Sequence, residues 1–309
     1  MKAVRIHEFG GPETLQVEEL PMPEPGPGEL RIRVMAASVN PVDYKMRNGG
    51  YLPKEALPLT LGRDVAGVVD AVGADVRGFH TGDAVFAMLD REHGGYTEFV
   101  AQAAENCARK PARLDAIQAA AVPLAGLTAW QGLFDHGGLQ SGQRVLIHGA
   151  AGGVGHLAVQ FARARGATVI ATCSARDVDF VKGLGATQVI DYHAQRFEDV
   201  VQNVDLVYDL VAGETQDRSW AVLKDGGTMV STLQEPDKQK AAAKHARAAH
   251  YMAQPNGPQL AEIGRLIDEG RVTPQIARVF PLEAAAEAET ALEKEHVAGK
   301  IVLEVTPQV

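Results

Sequence analysis

A glycine-rich turn at residues 148–155 stands between an apolar run and a segment of helical periodicity. The run 145–147 suits a buried parallel strand, and apolar side chains then recur at the spacing of a helix face packed on a sheet. In such a turn Gly152 lets the backbone approach a pyrophosphate, and Gly155 lets the helix pack closely on the strand. The helix N-terminus adds unpaired N–H groups. The pattern predicts that a dinucleotide binds to the backbone of Ala150, Gly152, Gly153 and Val154.

Ala150 departs from the G-x-G-x-x-G pattern at its first position. Alanine is tolerable there if its φ is negative, so the departure weakens the motif without removing it. Because a glycine turn alone is a weak signal, an ordinary strand-to-helix loop is the alternative interpretation.

The second half of the nucleotide site is expected about 20 residues further on, beside the adenosine ribose. Thr168–Cys173 fits the strand that ends there, and Ser174 and Arg176 follow where an acid would select NADH. Ser174 can donate a hydrogen bond to a 2'-phosphate and Arg176 a charge-assisted one, so the segment favours NADPH. Asp177 and Asp179 oppose this preference. In the alternative, Ser174 caps a helix and Arg176 is a solvated charge.

Length and composition limit the possible partners. A chain of 309 residues with 46% hydrophobic residues is expected to form two globular domains. A net charge of -9 and the lack of a long Lys/Arg run argue against nucleic acid and membrane partners and favour a small molecule. No apolar run reaches membrane-spanning length, and the first residues do not resemble a signal peptide, so we expect a cytoplasmic protein. Cys107 and Cys173 are too few for a disulfide framework.

The pattern of predicted secondary structure changes near residue 122. Short β-branched or alternating segments come before this point, at residues 30–34, 66–72, 84–88 and 96–100. Strands at 145–148, 168–173, 188–191, 204–209 and 227–231 then alternate with helical stretches, as in a doubly wound parallel sheet. Helices are predicted at 241–248 and 259–268, and residues 300–305 resemble a strand that returns to the first domain. Tyr192, after the strand 188–191, is expected to flank the adenine or its phosphate.

The chain resembles the zinc-independent medium-chain dehydrogenases/reductases, in the zeta-crystallin-like quinone oxidoreductase branch. The matching stretches are 37–43 (ASVNPVD), 61–69 (LGRDVAGVV), 94–99 (GGYTEF), 123–130 (PLAGLTAW), the glycine turn and 299–303 (GKIVL). The resemblance implies an α/β protein with a GroES-like β-barrel catalytic domain at 1–122 and 273–309. It also implies a Rossmann NADPH-binding domain at 123–272, a reaction cleft between the two domains, and a homodimer.

Zinc members of the superfamily have a catalytic Cys and His and four closely spaced structural cysteines, and this chain has neither set. The stretch 40–43 stands where the catalytic Cys would lie, and Gly62–Asp64 stands where the His would lie. We therefore predict no metal site. Without a Lewis acid, hydride delivery from NADPH to a conjugated electrophile is favoured over alcohol oxidation.

The resemblance also assigns site residues. Asn40 and Tyr44 are expected to border the nicotinamide and the substrate, Thr128 to lie near the nicotinamide ribose, and Lys300 to approach the cofactor. A phenol stays protonated at neutral pH, so Tyr44 is the first candidate proton donor, with solvent as the alternative. The alternatives are a turn residue for Asn40, a half-buried aromatic for Tyr44 and a solvated charge for Lys300.

An apolar substrate pocket is predicted from Tyr51, Met88 and Tyr96, although such side chains are more often ordinary core. Three functions remain open. The first is an NADPH-dependent quinone reductase, and the second is an NADPH-dependent reductase of activated carbon–carbon double bonds in alkenals, alkenones or haloacrylates. The third is a non-catalytic NADPH-binding protein.

Overall fold

The structure is a computed structural model that describes residues 1–91 and 93–306. The chain divides into two compact units. The first contains Met1–Leu124, Pro255–Gly270 and the described residues from Pro274 onward, and the second contains Ala125–Gln254 and Arg271–Thr273. Each unit has a hydrophobic core of its own. No helix in the described ranges is long and apolar enough to cross a membrane.

The N-terminal part of the first unit consists mainly of antiparallel strands. Its described strands are β1 (Lys2–Ile6), β2 (Gln16–Glu19), β3 (Glu29–Val39), β4 (Leu59–Thr60), β5 (Asp64–Val72), β6 (Ala84–Met88), β7 (Phe99–Ala103) and β8 (Cys107–Arg109). Its helices are α1 (Pro41–Arg47), α2 (Ala116–Ala120) and the start of α3 (Pro123–Trp130). The long strand β3 pairs antiparallel with both β5 and β7. Its alternate residues Leu30, Ile32 and Val34 are fully buried, as a strand with one face on the core requires.

One strand begins later than the sequence indicates. The predicted strand at 96–100 corresponds to β7, which starts at Phe99. The backbone of Tyr96 instead bonds to Val4 and Leu61.

The second unit is an α/β unit with a parallel sheet. Its described strands and helices are β9 (Arg144–Ile147), α4 (Gly155–Ala164), β10 (Thr168–Cys173), α5 (Val178–Gly183), β11 (Gln188–Asp191), β12 (Val204–Asp209), α6 (Gly213–Ser219), β13 (Leu223–Ser231), α7 (Lys238–Ala243) and β14 (Arg247–His250). The strand order is β11-β10-β9-β12-β13-β14, and all neighbours are parallel. This is the order 3-2-1-4-5-6 of a doubly wound sheet, in which ligands bind where the order reverses, here between β9 and β12.

The predicted helix at 241–248 is wrong in its second half. The helix α7 ends at Ala243, His245 has a left-handed φ of 49°, and Arg247–His250 form β14. Alanine favours a helix locally, but each residue of β14 pairs with a residue of β13. Tertiary contact therefore overrides the local preference.

The C-terminal part adds α8 (Gly257–Asp268), β15 (Ile276–Pro281), α9 (Ala285–Lys294) and β16 (Lys300–Glu304). β16 pairs with β3, which confirms that the last strand returns to the first domain. The predicted boundary at residue 272 requires a correction, because Pro255–Gly270 belongs to the first unit. The physical reason is close packing: a Cβ on Gly257 would lie 2.3 Å from the carbonyl oxygen of Glu105.

Candidate functional site

A buried polar cluster lies in the first unit where β3, β5 and β16 adjoin. Sheet register places Ser38 opposite Asp64 and Val39 opposite Ile301, so Asn40 and Lys300 come together at the strand ends. The amide Nδ2 of Asn40 donates to Asp64 Oδ2 at 2.7 Å. The Lys300 ammonium donates to Asn40 Oδ1, and its Nζ lies 3.9 Å from Asp64 Oδ2. The cluster thus holds the Asn40 amide in one orientation, between a lysine and a carboxylate.

Further hydrogen bonds stabilise the Asp64 and Lys300 side chains in this cluster. Asp64 also accepts from Ser38 Oγ and from the backbone N–H of Leu124, both at 2.5 Å. Lys300 donates to the Val39 carbonyl at 3.1 Å. Burial lowers the pKa of Lys300, while Asp64 and Asp43 raise it. Lys300 is only 3% exposed, so its Nζ meets Asn40, Asp64 and the Val39 carbonyl rather than water.

Asp43 extends the cluster inward from α1. Its Oδ2 accepts from the backbone N–H of Asn40 at 2.7 Å and from the Tyr96 hydroxyl at 3.1 Å, whereas its buried Oδ1 makes no hydrogen bond to the described residues. Burial raises the pKa of Asp43 to about 7, and the charge of Asp64 raises it further. The hydrogen bond from the Asn40 backbone and the positive charges of Lys300 and Arg63 lower this pKa. The Asp43 carboxyl group therefore gains or loses its proton near pH 7.

Tyr44, one residue further along α1, is half-buried. Burial raises the pKa of its phenol, and the charge of Glu293 raises it further. The group keeps its proton at neutral pH, as a proton donor must.

The glycine turn in the second unit has the geometry of a phosphate cradle. A Cβ on Gly155 would lie 2.2 Å from the Gly149 carbonyl oxygen, so only glycine fits where α4 begins. A Cβ on Gly152 would meet only that same oxygen, at 3.5 Å, which leaves this face of the turn open. Gly152, Gly153 and Val154 are partly exposed before the ten-residue helix α4. These residues fit the pyrophosphate of a dinucleotide.

Ala150 fills the irregular first position of the motif without strain. It is fully buried and is not among the non-glycine residues with positive φ, which confirms the condition set from the sequence. Its N–H donates to the Thr172 carbonyl at 3.1 Å. The turn is therefore fixed against the end of β10, and Ser174 lies two residues beyond that contact.

At the end of β10, the hydroxyl of Ser174 donates to Asp177 Oδ2 at 2.5 Å. Both residues are buried, whereas Arg176 between them is exposed. The Ser174 proton that the sequence analysis assigned to a 2'-phosphate is thus engaged within the protein. Tyr192, after β11, is 53% exposed and lies against the His193 ring at 4.3 Å between ring centroids.

Thr128 lies in α3 and is 8% exposed. Its carbonyl accepts from the hydroxyl groups of Tyr208 and Tyr251, and the two hydroxyl oxygens are 2.7 Å apart. These bonds fix the backbone at Thr128 within the second unit.

Family models and curated relatives match most of the chain. Residues 26–113 match the alcohol dehydrogenase GroES-like domain, and residues 184–303 match the zinc-binding dehydrogenase family. The chain is 36% identical to the mitochondrial NAD(P)H oxidoreductase RTN4IP1 of Mus musculus, over 90% of this chain and 82% of the relative. It is 34% identical to the 2-methylene-furan-3-one reductase of Solanum lycopersicum, over 99% of this chain and 80% of that enzyme.

Solved structures show the same relationship. The quinone oxidoreductase of Coxiella burnetii has a TM-score of 0.90 and 39% identity, with 99% of each chain covered. The chain belongs to the medium-chain dehydrogenase/reductase family. The quinone oxidoreductase of Escherichia coli, solved in complex with NADPH, has a TM-score of 0.89 and 29% identity over 99% of this chain and 100% of that chain.

Membership in the medium-chain dehydrogenase/reductase family, in its quinone oxidoreductase branch, confirms the predicted fold class. The first unit contains the GroES-like domain, and the second contains the Rossmann-type sheet. The chain is an oxidoreductase of an NAD(P)H-dependent family.

Although one family name refers to zinc, the described part of this chain has no group of three or more His, Cys, Asp or Glu residues that could hold a metal ion. Cys107 and Cys173 are both buried. Burial raises the pKa of Cys107 to about 12 and that of Cys173 to about 11, so neither is a ready thiolate.

The predicted substrate pocket needs a correction. Met88 is 1% exposed and Tyr96 is not exposed at all, with its hydroxyl bonded to Asp43, so both are core residues that present no surface to a ligand. Gly62 packs closely against one edge of the Tyr96 ring, because a Cβ on Gly62 would lie only 2.5 Å from Tyr96 Cδ1. Tyr51 is 54% exposed, and its role as a pocket residue stays a prediction.

Asp209 was missed in the sequence, although it lies where the strand order reverses. It is fully buried at the end of β12. Its Oδ1 accepts from the N–H groups of Val211 and Ala212, and its Oδ2 accepts from Gln216 and Ser231 at 2.9 Å. The loop that it holds lies beside the turn, since a Cβ on Gly149 would be 3.4 Å from Val211. An acid directly after an apolar strand was the available signal.

Proposed function

We propose that the chain transfers hydride from NADPH to a quinone without zinc. The observation that carries the proposal is the Lys300–Asn40–Asp64 cluster. By resemblance, Asn40 and Asp64 stand in the stretches where zinc members of the family keep a catalytic cysteine and histidine. With Lys300 they offer an ammonium and an amide. The glycine turn supplies the cofactor cradle.

NADPH, when bound, supplies the hydride, and the acceptor must already be electrophilic by conjugation. The residues of this chain then orient, stabilise and protonate. Lys300 holds the Asn40 side chain through Oδ1, and Asp64 holds it through Nδ2, so the amide has one orientation. Asn40 is itself only 2% exposed, so we assign it to fixing the polar wall of the site that positions the nicotinamide and the acceptor, with the charge of Lys300 favouring negative charge on the acceptor oxygen. Tyr44 donates the proton.

NADPH is proposed as the cofactor on two grounds. Arg176 is an exposed guanidinium next to the end of β10, where a 2'-phosphate would lie. The Escherichia coli relative was solved with NADPH. Tyr192, Thr128 and Lys300 remain proposed cofactor contacts, and the homodimer and the cytoplasmic location remain predictions.

A second candidate is reduction of an activated carbon–carbon double bond, which the similarity to a 2-methylene-furan-3-one reductase favours. Steady-state assays with NADPH separate the two. The proposal expects a kcat/KM for 9,10-phenanthrenequinone at least about tenfold above that for an alkenal or a haloacrylate, since a tenfold ratio is 1.4 kcal/mol of transition-state discrimination. The reverse order would establish the alkene reductase instead.

A further inference from the structure

Asp177 in the second unit is a buried carboxylate that accepts a hydrogen bond from the Ser174 hydroxyl. Ser174 and Asp177 are 7% and 5% exposed, and their oxygens are 2.5 Å apart. Ser174 precedes a short 3-10 turn, Ala175–Asp177, and Asp177 ends it. The pair stands two residues beyond Thr172, whose carbonyl accepts from Ala150 in the glycine turn. The pair therefore lies at the end of β10, where dinucleotide-binding sheets distinguish a ribose 2'-hydroxyl from a 2'-phosphate.

A hydroxyl group has one proton to donate and two lone pairs to accept with. Because Ser174 donates its proton to Asp177, the remaining capacity of Ser174 is to accept. The 2'-hydroxyl of NADH can donate to it. The 2'-phosphate of NADPH carries mainly lone pairs near neutral pH, so it gains no hydrogen bond from Ser174 unless the bond to Asp177 breaks.

Charge acts in the same direction. The Asp177 carboxylate adds negative charge next to a 2'-phosphate, while the exposed guanidinium of Arg176 adds positive charge. Arg176 favours NADPH and Asp177 opposes it. Arg176 is exposed, so solvent and salt screen its charge, whereas Asp177 is only 5% exposed.

We propose that Asp177 is a specificity-determining residue that holds the Ser174 hydroxyl as an acceptor and thereby limits the preference for NADPH over NADH. The inference rests on the proposed function only in requiring that a nicotinamide dinucleotide binds at this turn. Asp177 gives the chain a tolerance for both cofactors that Arg176 alone would not.

The test is a fluorescence titration of the full chain with NADPH and with NADH, without any acceptor. For Asp177→Asn, which keeps the shape and removes the charge, the dissociation constant for NADPH should fall about tenfold while that for NADH changes less than about threefold. Asp179→Asn is the matched control, because it removes an exposed acid from the same segment. Its NADPH/NADH ratio should shift less than about threefold.

Equal changes for both cofactors, or an equal ratio shift in Asp179→Asn, would overturn the role of Asp177. The double variant Ser174→Ala/Asp177→Asn tests the route through the hydroxyl. It should lose the part of the gain that runs through the Ser174 hydroxyl and keep the part that comes from the removed charge, and full retention of the gain would contradict the inference.

Ser174→Ala alone decides the matter if Asp177→Asn does not fold. NADPH binding should stay within about threefold of the wild type, and NADH binding should weaken about fivefold, as expected for one neutral hydrogen bond. A tenfold loss of NADPH affinity with unchanged NADH affinity would show that Ser174 donates to the phosphate and would overturn the inference. If neither dinucleotide binds the wild type, both the inference and the proposed function fail. If both bind and the NADPH/NADH ratio is unaltered in every variant, only the role of Asp177 is overturned.

Discussion

Lys300 and Asn40 are 260 positions apart in the sequence, yet the ammonium of Lys300 donates a hydrogen bond to the side-chain oxygen of Asn40. The antiparallel pairing of β16 with β3 makes this contact, since Val39 stands opposite Ile301. The last strand of the chain therefore completes a polar cluster whose other members come from its first 64 residues. A substitution at Lys300 should affect both the fold and the reaction.

We expect Lys300→Met to lower the free energy of unfolding by about 3 kcal/mol, because it leaves the buried Asp64 carboxylate without the cation 3.9 Å away. It should also lower kcat/KM more than about tenfold, because the Asn40 amide loses its orientation. Urea unfolding and steady-state assays measure the two effects. Lys294→Met, which removes an exposed cation from α9, should change stability by less than about 0.5 kcal/mol. Equal effects of the two substitutions would contradict the role of the cluster.

Stability should depend on pH through two buried carboxyl groups. Burial raises the pKa of Asp43 to about 7 and that of Glu289 to about 8, although the Arg47 charge 3.1 Å from Glu289 opposes the latter shift. In the unfolded chain both values return to about 4. The folded state then holds protons that the unfolded state has released, so the free energy of unfolding should fall as pH rises from about 4 to 8.

The slope in that window is at most about 1.4 kcal/mol per pH unit for each proton. Asp43→Asn and Glu289→Gln should each flatten it, because a neutral amide replaces the titrating group. Glu287→Gln, an exposed position on the same helix, should leave the slope unchanged. Urea unfolding at a series of pH values measures it. A wild-type stability that rises across this window would show that these two carboxyl groups do not govern the pH dependence.

Local sequence patterns predicted the second unit well. The bounds of β10, β11 and β12 agree with the predicted strands because each is a short apolar run that ends in polar residues. The alanine-rich stretch before β14 failed because its helix preference is a local quantity, whereas its pairing with β13 is not.

The candidate site also combines features that depend on neighbouring residues in the sequence with contacts that depend on strand pairing. The glycine turn was predictable because its conformation depends on neighbouring residues, and Asn40 and Lys300 were predictable from family resemblance. Their partner Asp64 was not, because the contact is set by the register of β3 and β5. The partnership of Asp43 with Asn40 had a local signal, since an acid three residues after an Asn at a helix start is the spacing of a capping pair.

Arg176 should contribute to NADPH binding more than to NADH binding. We expect Arg176→Ala to weaken NADPH by about 1 to 3 kcal/mol more than NADH, the range for a lost charge-assisted contact to a phosphate. Lys238→Ala removes an exposed cation elsewhere in the second unit and should leave both affinities unchanged. Titration with each cofactor measures the difference. Equal weakening of the two cofactors by Arg176→Ala would remove the 2'-phosphate assignment.

Activity should not depend on a metal. After exhaustive chelation and removal of the chelator, we expect the rate of NADPH oxidation to be unchanged, and added zinc should not increase it. By resemblance, residues 40–43 and 62–64 stand where zinc members have their catalytic Cys and His, and neither stretch contains a Cys or a His. The assay is the steady-state rate before and after treatment. A loss of activity that zinc restores would overturn the zinc-independent mechanism.

The central claim is hydride transfer from NADPH to a quinone, and its most direct measurement follows both reactants in one assay. Purified protein is mixed with NADPH and 9,10-phenanthrenequinone, and the amounts of each consumed are compared with a mixture that lacks protein. We predict repeated turnover in which one NADPH is oxidised for each quinone reduced. Protein that binds NADPH but oxidises it no faster than the protein-free mixture, with the quinone or with an alkenal, would contradict the claim and leave a non-catalytic NADPH-binding protein.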